Sequence, residues 1–170
     1  MPIIGDDMNE DEFWIIIRRV HESAQGNMNE KCEAIKGEIS RLEPAEAESF
    51  YFIFDAQVDR AYSWGLWGAA YVIHGGCGDD TFSDFRASLI SRGQETFERA
   101  LSDPDCLADE PFDEDAWFYE GFQYAVSEGV HAVVGKALKS RKPFPKEPSG
   151  AEWDEDDLEA LYPRLHEKFP

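Results

Sequence analysis

Basic side chains are scarce: 16 Lys and Arg stand against 36 Asp and Glu in 170 residues, a formal net charge of -20. Such a field repels nucleic-acid phosphates and anionic membrane surfaces and attracts cationic groups, so a cationic protein partner is expected and nucleic acid and membrane are not. The same excess also keeps a chain soluble. Cysteine is scarce too. Cys32, Cys77 and Cys106 lie far apart, with no CxxC pair and no His at ligand spacing, which argues against a disulfide framework and a structural zinc site. Long apolar runs are missing: nothing approaches ~18 consecutive apolar residues. Residues 1–7 carry neither a basic nor an apolar signal region, so a cytoplasmic location is expected. There is no P-loop lysine, no EF-hand spacing and no internal repeat, and the residues call for no cofactor and no metal.

Aromatics are what the chain has in quantity. With 12 Phe and 5 Trp, and 42% hydrophobic residues overall, it carries ample area for a packed core. The expectation is a mainly α, single acidic domain over residues 1–170, a bundle of about six to eight helices with little or no strand. Phe13, Ile16, Ile17 and Val20 predict a helix over 11–24, opened by Glu10, Asp11 and Glu12. Cys32, Ile35, Ile39 and Leu42 predict a second over 29–42. Pro44 starts a third that carries Phe50, Phe54 and Val58. Residues 64–74 are apolar nearly all round and read as a buried helix, with a strand through Tyr71, Val72 and Ile73 as the alternative. Gly75, Gly76 and Gly78 stop it, and Asp79 and Asp80 are expected to cap the next helix, whose buried side holds Phe82, Phe85 and Leu89.

A short helix follows over 96–101. Residues 103–115, with seven acids, no base and two prolines, read as an exposed loop. A long helix is expected over 116–138, then a basic, proline-rich loop, then a docking tail with Leu158, Leu161, Leu165 and Phe169 at helical spacing.

The run from Trp67 to Ile73, the turn Gly75-Gly76-Cys77, the pair Asp79-Asp80 and the stretch Asp84-Phe85-Arg86 before Leu89-Ile90 resemble the central motif of an uncharacterised bacterial domain-of-unknown-function family. Glu12-Phe13-Trp14 near the start, and Pro148-Ser149-Gly150, Trp153 and Tyr162-Pro163-Arg164-Leu165 near the end, extend the likeness. The resemblance implies a shared, mainly helical fold and supplies no activity.

Two constellations carry the functional expectations. His74, Cys77, Asp79, Asp80, Asp84 and Arg86 place a base, a thiol, carboxylates and a cation around a Gly-rich turn, which is the ground for a small hydrolase or transferase. The structural reading gives the same residues to caps and packing, and a thiol beside a histidine in sequence has neither an orienting group nor oxyanion donors. The other constellation is electrostatic. Asp113, Glu114, Asp115, Asp154 and Asp156, with Trp117 and Trp153 as exposed anchors beside them, would suit a non-enzymatic domain that binds a cationic protein, for instance an immunity protein that neutralises a basic toxin or nuclease.

Overall fold

The computed structural model describes residues 7–24 and 27–170. Among these residues the regular elements are helices, joined by one isolated bridge between Ser63 and Ser149. In order they are α1 (Glu10–Ala24), α2 (Met28–Ser40), α3 (Pro44–Arg60), α4 (Trp64–His74), α5 (Asp79–Ile90), α6 (Gln94–Ser102), α7 (Glu114–Trp117), α8 (Gly121–Val134), α9 (Leu158–Leu161) and α10 (Pro163–Lys168), with 3-10 turns at Pro104–Asp109 and Glu155–Asp157. Tyr71, Val72 and Ile73 lie in α4, so the strand alternative is set aside.

Local chemistry sets these boundaries. Glu43 and Glu46 form a capping box that spans Pro44, the first residue of α3. Asn27 and Ser63 accept from the first turns of α2 and α4, and Gly75 closes α4 at φ 73°, a left-handed conformation that a side chain resists.

The core is aromatic. Phe13 of α1 packs on Phe50 of α3 at 4.8 Å between ring centres, and Trp14 on Phe97 of α6 at 5.3 Å. Phe82 and Phe85 of α5 continue the stack to Trp67 and Trp117. Each fully buried Phe contributes roughly 2–3 kcal/mol of transfer free energy. α8 lies along α2, where Gly129 leaves room for Ile39 and the backbone of Lys36. α10 packs on α4 and on the 3-10 turn at Pro104–Asp109.

Several expectations are corrected. Residues 103–115 are an ordered connection: Asp105 and Leu107 are buried, and the Asp105 carboxylate accepts from the backbone N–H groups of Arg164 and Leu165, which start α10. The helix expected over 116–138 is two, because the chain turns at residues 118–120 and α8 ends at Gly135, φ 83°. The tail bends at Tyr162, which leaves Leu161 exposed. Asp79 and Asp80 sit in the first turn of α5, and the cap position belongs to Gly78.

One interior feature has no counterpart in the apolar pattern. Lys31 is 0% exposed, and its Nζ lies 3.0 Å from His21 Nδ1, 3.1 Å from the Ser91 carbonyl and 3.2 Å from Ser91 Oγ. Burial first, then the nearby Arg92, lowers the Lys31 pKa to about 7. Burial, Lys31 and Arg92 likewise lower His21 to about 4.

Candidate functional site

The residues around the Gly-rich turn do not converge. His74 ends α4 and its Nδ1 lies 2.8 Å from the Gly76 carbonyl, while Gly76 N–H returns to the Tyr71 carbonyl at 2.9 Å. Cys77 is half-buried, packs against the core and directs its thiol at the Gly78 carbonyl, with Trp67 Nε1 donating to the Cys77 carbonyl at 2.9 Å. Burial and the charges of Asp79 and Asp84 push the thiol up to about 12, the opposite of what a thiolate nucleophile needs. Asp79 and Asp80 are exposed.

Arg86 points elsewhere. It is 2% exposed, donates to the Val58 carbonyl at 3.1 Å and lies over the rings of Tyr62, Phe82 and Phe144 within 6 Å. It bridges α5 to α3 through a carbonyl and ring faces, and no carboxylate pairs with it among the described residues. Among the described residues no three His, Cys, Asp or Glu side chains are grouped as a metal would require.

Asp84 is half-buried and accepts from Gln123 Nε2 at 3.2 Å. Burial, Glu120 and Asp80 raise its pKa to about 6. A carboxyl raised in this way favours the folded state when protonated, and that contribution is lost as pH rises through about 6. Asp84→Asn is therefore expected to melt higher than the parent at pH 7.5, by roughly 1 kcal/mol after solvent screening, and to match it near pH 4. Thermal unfolding at the two pH values checks this.

What the fold does assemble is an acidic cleft of about 880 Å³ between the end of α4, the start of α2 and the α7–α8 connection. His74 and the segment 113–115 meet there although about forty residues separate them. The His74 ring packs on Phe118 at 4.6 Å, and its Nε2 lies 3.7 Å from Glu114. Asp113 accepts from Asp115 N–H and so starts α7, while Glu114, Asp115 and Glu120 face solvent.

The walls are aromatic. Tyr119 lies against the α8 start because Gly121 has no Cβ to meet its ring, and its hydroxyl donates to Asn29 at 2.6 Å. Tyr124 is exposed. Tyr119 and Tyr124 were missed in the sequence because each reads as ordinary helix surface, and only the break at 118–120 turns both toward the cleft.

The expected anchors are not available. Trp117 is 2% exposed, donates to the Pro111 carbonyl and carries the Arg92 guanidinium on its face at 4.3 Å. Trp153 is half-buried, donating to the Trp64 carbonyl at 2.7 Å with its ring against Trp64 and Tyr71. Asp154 caps the 3-10 turn at Glu155–Asp157, and Asp156 is exposed, on a different part of the surface from the cleft.

No helix among the described residues is long and apolar enough to cross a membrane. No curated protein and no solved structure matches the chain. A family model described as "Protein of unknown function (DUF4240)" matches residues 8–130, from just before α1 to within α8, and so leaves Trp153, Asp154 and Asp156 outside. On that match, which covers well over half of its length, the chain belongs to this family of unknown function.

Proposed function

We propose that the protein is a non-catalytic binding domain that takes a cationic segment of a partner protein into the acidic cleft. The observation that carries this reading is the pairing of exposed carboxylates, Glu114, Asp115 and Glu120, with the aromatic faces of Phe118, Tyr119 and Tyr124 around one opening. Carboxylates attract a Lys or Arg side chain at long range, and an aromatic face holds it by cation–π contact once water is displaced. The -20 net charge acts in the same direction. An immunity protein that neutralises a basic toxin or nuclease is the member of this class that we favour.

The local bonds and packing of His74, Cys77 and Arg86 give the hydrolase or transferase reading no support. A pull-down from the native host at low salt, followed by binding kinetics on the recovered protein, tests the proposal. Replacing Asp113, Glu114 and Asp115 by Asn, Gln and Asn keeps a cap for α7 and is expected to slow association about tenfold, with a weaker salt dependence. Recovery of no basic protein, or an unchanged association rate, would sink it.

A further inference from the structure

The carboxylate wall of the acidic cleft is held from behind. Five of the seven residues 109–115 are acidic, a density at which a chain repels itself unless cations and donors gather it in. The segment runs from buried Leu107 to buried Ala116 and Trp117, and residues 109 and 111–115 between them are exposed. One hold comes from Trp117, whose indole donates to the Pro111 carbonyl at 3.1 Å. Two more come from the α5–α6 side, where Arg92 lies 3.8 Å from Glu110 and Arg99 lies 3.8 Å from Asp109.

α10 supplies a further set. Lys168 Nζ donates to the Ala108 carbonyl at 3.0 Å and to the Glu110 carbonyl at 2.7 Å, the Phe169 ring meets Phe112 edge-on at 4.7 Å, and Arg164 pairs with Asp109. The main chain of residues 108–112 is thus pinned by an exposed lysine and a half-buried ring, contacts that open more readily than a core. Asp113, Glu114 and Asp115 follow directly and line the cleft.

We infer that the end of α10 is a brace that sets the acidic wall of the cleft, so that docking of α10 and binding of a cationic segment strengthen each other. The inference rests on the cationic-segment reading of the cleft. A cation bound at residues 113–115 relieves the repulsion within 109–115, and a docked α10 presents those carboxylates already gathered, so the coupling is reciprocal. Lys168 and Phe169 act as positioning residues, since neither lines the cleft.

The test uses the full chain, with acetylated and amidated hexa-arginine as the cationic probe. Nitrogen-15 NMR of the parent is expected to show a saturable shift of the amides of Asp115, Tyr119 and Tyr124. In Lys168→Met, and separately in Phe169→Ala, hydrogen exchange at Glu110 and residues 112–115 is expected to quicken about fivefold while exchange in α2 stays unchanged, and the probe midpoint is expected to rise about fivefold. The sign discriminates. Loss of a lysine makes the chain more acidic and by charge alone should tighten a cationic probe, which is the result expected for Lys146→Met on the exposed basic loop. Lys168→Arg keeps donors at that place and is expected to stay within about twofold of the parent. Unchanged exchange at residues 110–115 in both variants overturns the brace. Quickened exchange with an unchanged or tighter probe midpoint overturns its coupling to the cleft. Absence of a saturable shift in the parent overturns the cationic-segment reading and the coupling with it, while the exchange measurement still decides the brace.

Discussion

Lys31→Met is expected to be more stable than the parent protein at pH 6 and to lose that advantage by about pH 9. Lys31 is fully buried and makes no ion pair among the described residues; its three acceptors are His21 Nδ1 and the carbonyl and hydroxyl of Ser91. Three acceptors satisfy an ammonium geometrically but carry no compensating negative charge, so desolvation dominates and the pKa falls from 10.5 to about 7. The sign follows from proton counting. Below pH 7 both folded and unfolded chains hold the proton and the penalty is complete. Between 7 and 10.5 the unfolded chain holds it and the folded chain does not, so stability rises with pH by about 1.4 kcal/mol per unit at most.

Methionine has similar length, removes the charge and leaves the Ser91 carbonyl and His21 without Nζ, at about 1 kcal/mol each. At pH 6 the relieved penalty, roughly 5 kcal/mol from the shift, exceeds that loss. At pH 9 the parent amine is neutral in the fold, donates two N–H bonds to Ser91 and accepts from a His21 Nδ1–H tautomer; the unfolded chain is still protonated, so about 2 kcal/mol of penalty remains and roughly balances the loss. Urea unfolding of both proteins at pH 6, 7.5 and 9 measures the convergence. A difference that stays constant with pH would show that Lys31 keeps its proton throughout. His21 acts in the same direction at the acidic end: lowered to about 4, it resists a second charge beside Lys31, and folded-state stability falls as pH drops below 6.5.

That Lys31 escaped the sequence reading shows where such a reading stops. In α2 the apolar positions Cys32, Ile35 and Ile39 mark one face, and Lys31 is its flank, a place where a lysine normally snorkels out. Here α1 and the α5–α6 turn close over the flank, and no period of three or four encodes that. By contrast α4 was legible to the residue, because Ser63 and Gly75 bracket an apolar run with chemistry that acts locally.

The segment 103–115 misled for the opposite reason. Its charge density reads as solvent, yet Asp105 is an acceptor for N–H groups about sixty residues away, and a one-dimensional pattern holds no trace of its partner. Trp117 illustrates the same gap, since a tryptophan beside three acids is the residue an interface would use, and here it fills the core against Phe85. The cleft itself was half legible. Asp113, Glu114, Asp115 and His74 were each singled out and Glu120 was not, and only the chain reversal at 118–120 brings them to one opening.

Gly68→Ala is expected to loosen the tail from the rest of the molecule. Gly68 is buried in α4, and a Cβ there would lie 2.3 Å from the Tyr162 hydroxyl and 2.7 Å from two of its ring carbons. Tyr162 has little freedom to retreat. It is 5% exposed, its hydroxyl donates to the Gly65 carbonyl at 2.6 Å, and it stands at the bend between α9 and α10. One methyl therefore meets an aromatic ring held at its far end by a hydrogen bond and at its base by the α10 turn. Overpacking of this kind costs roughly 1–3 kcal/mol, and breaking the buried hydroxyl bond adds about 1 kcal/mol. Alanine is the better helix former by up to about 1 kcal/mol, which offsets part of the loss without reversing it. The diagnostic measurement is a double-mutant cycle. Tyr162→Ala alone is expected to cost roughly 3–4 kcal/mol, and in that background the space is empty, so Gly68→Ala should become neutral or slightly stabilising. Chemical unfolding of the four proteins gives the coupling. Equal effects of Gly68→Ala in both backgrounds would mean that Tyr162 does not fill the notch that the glycine provides.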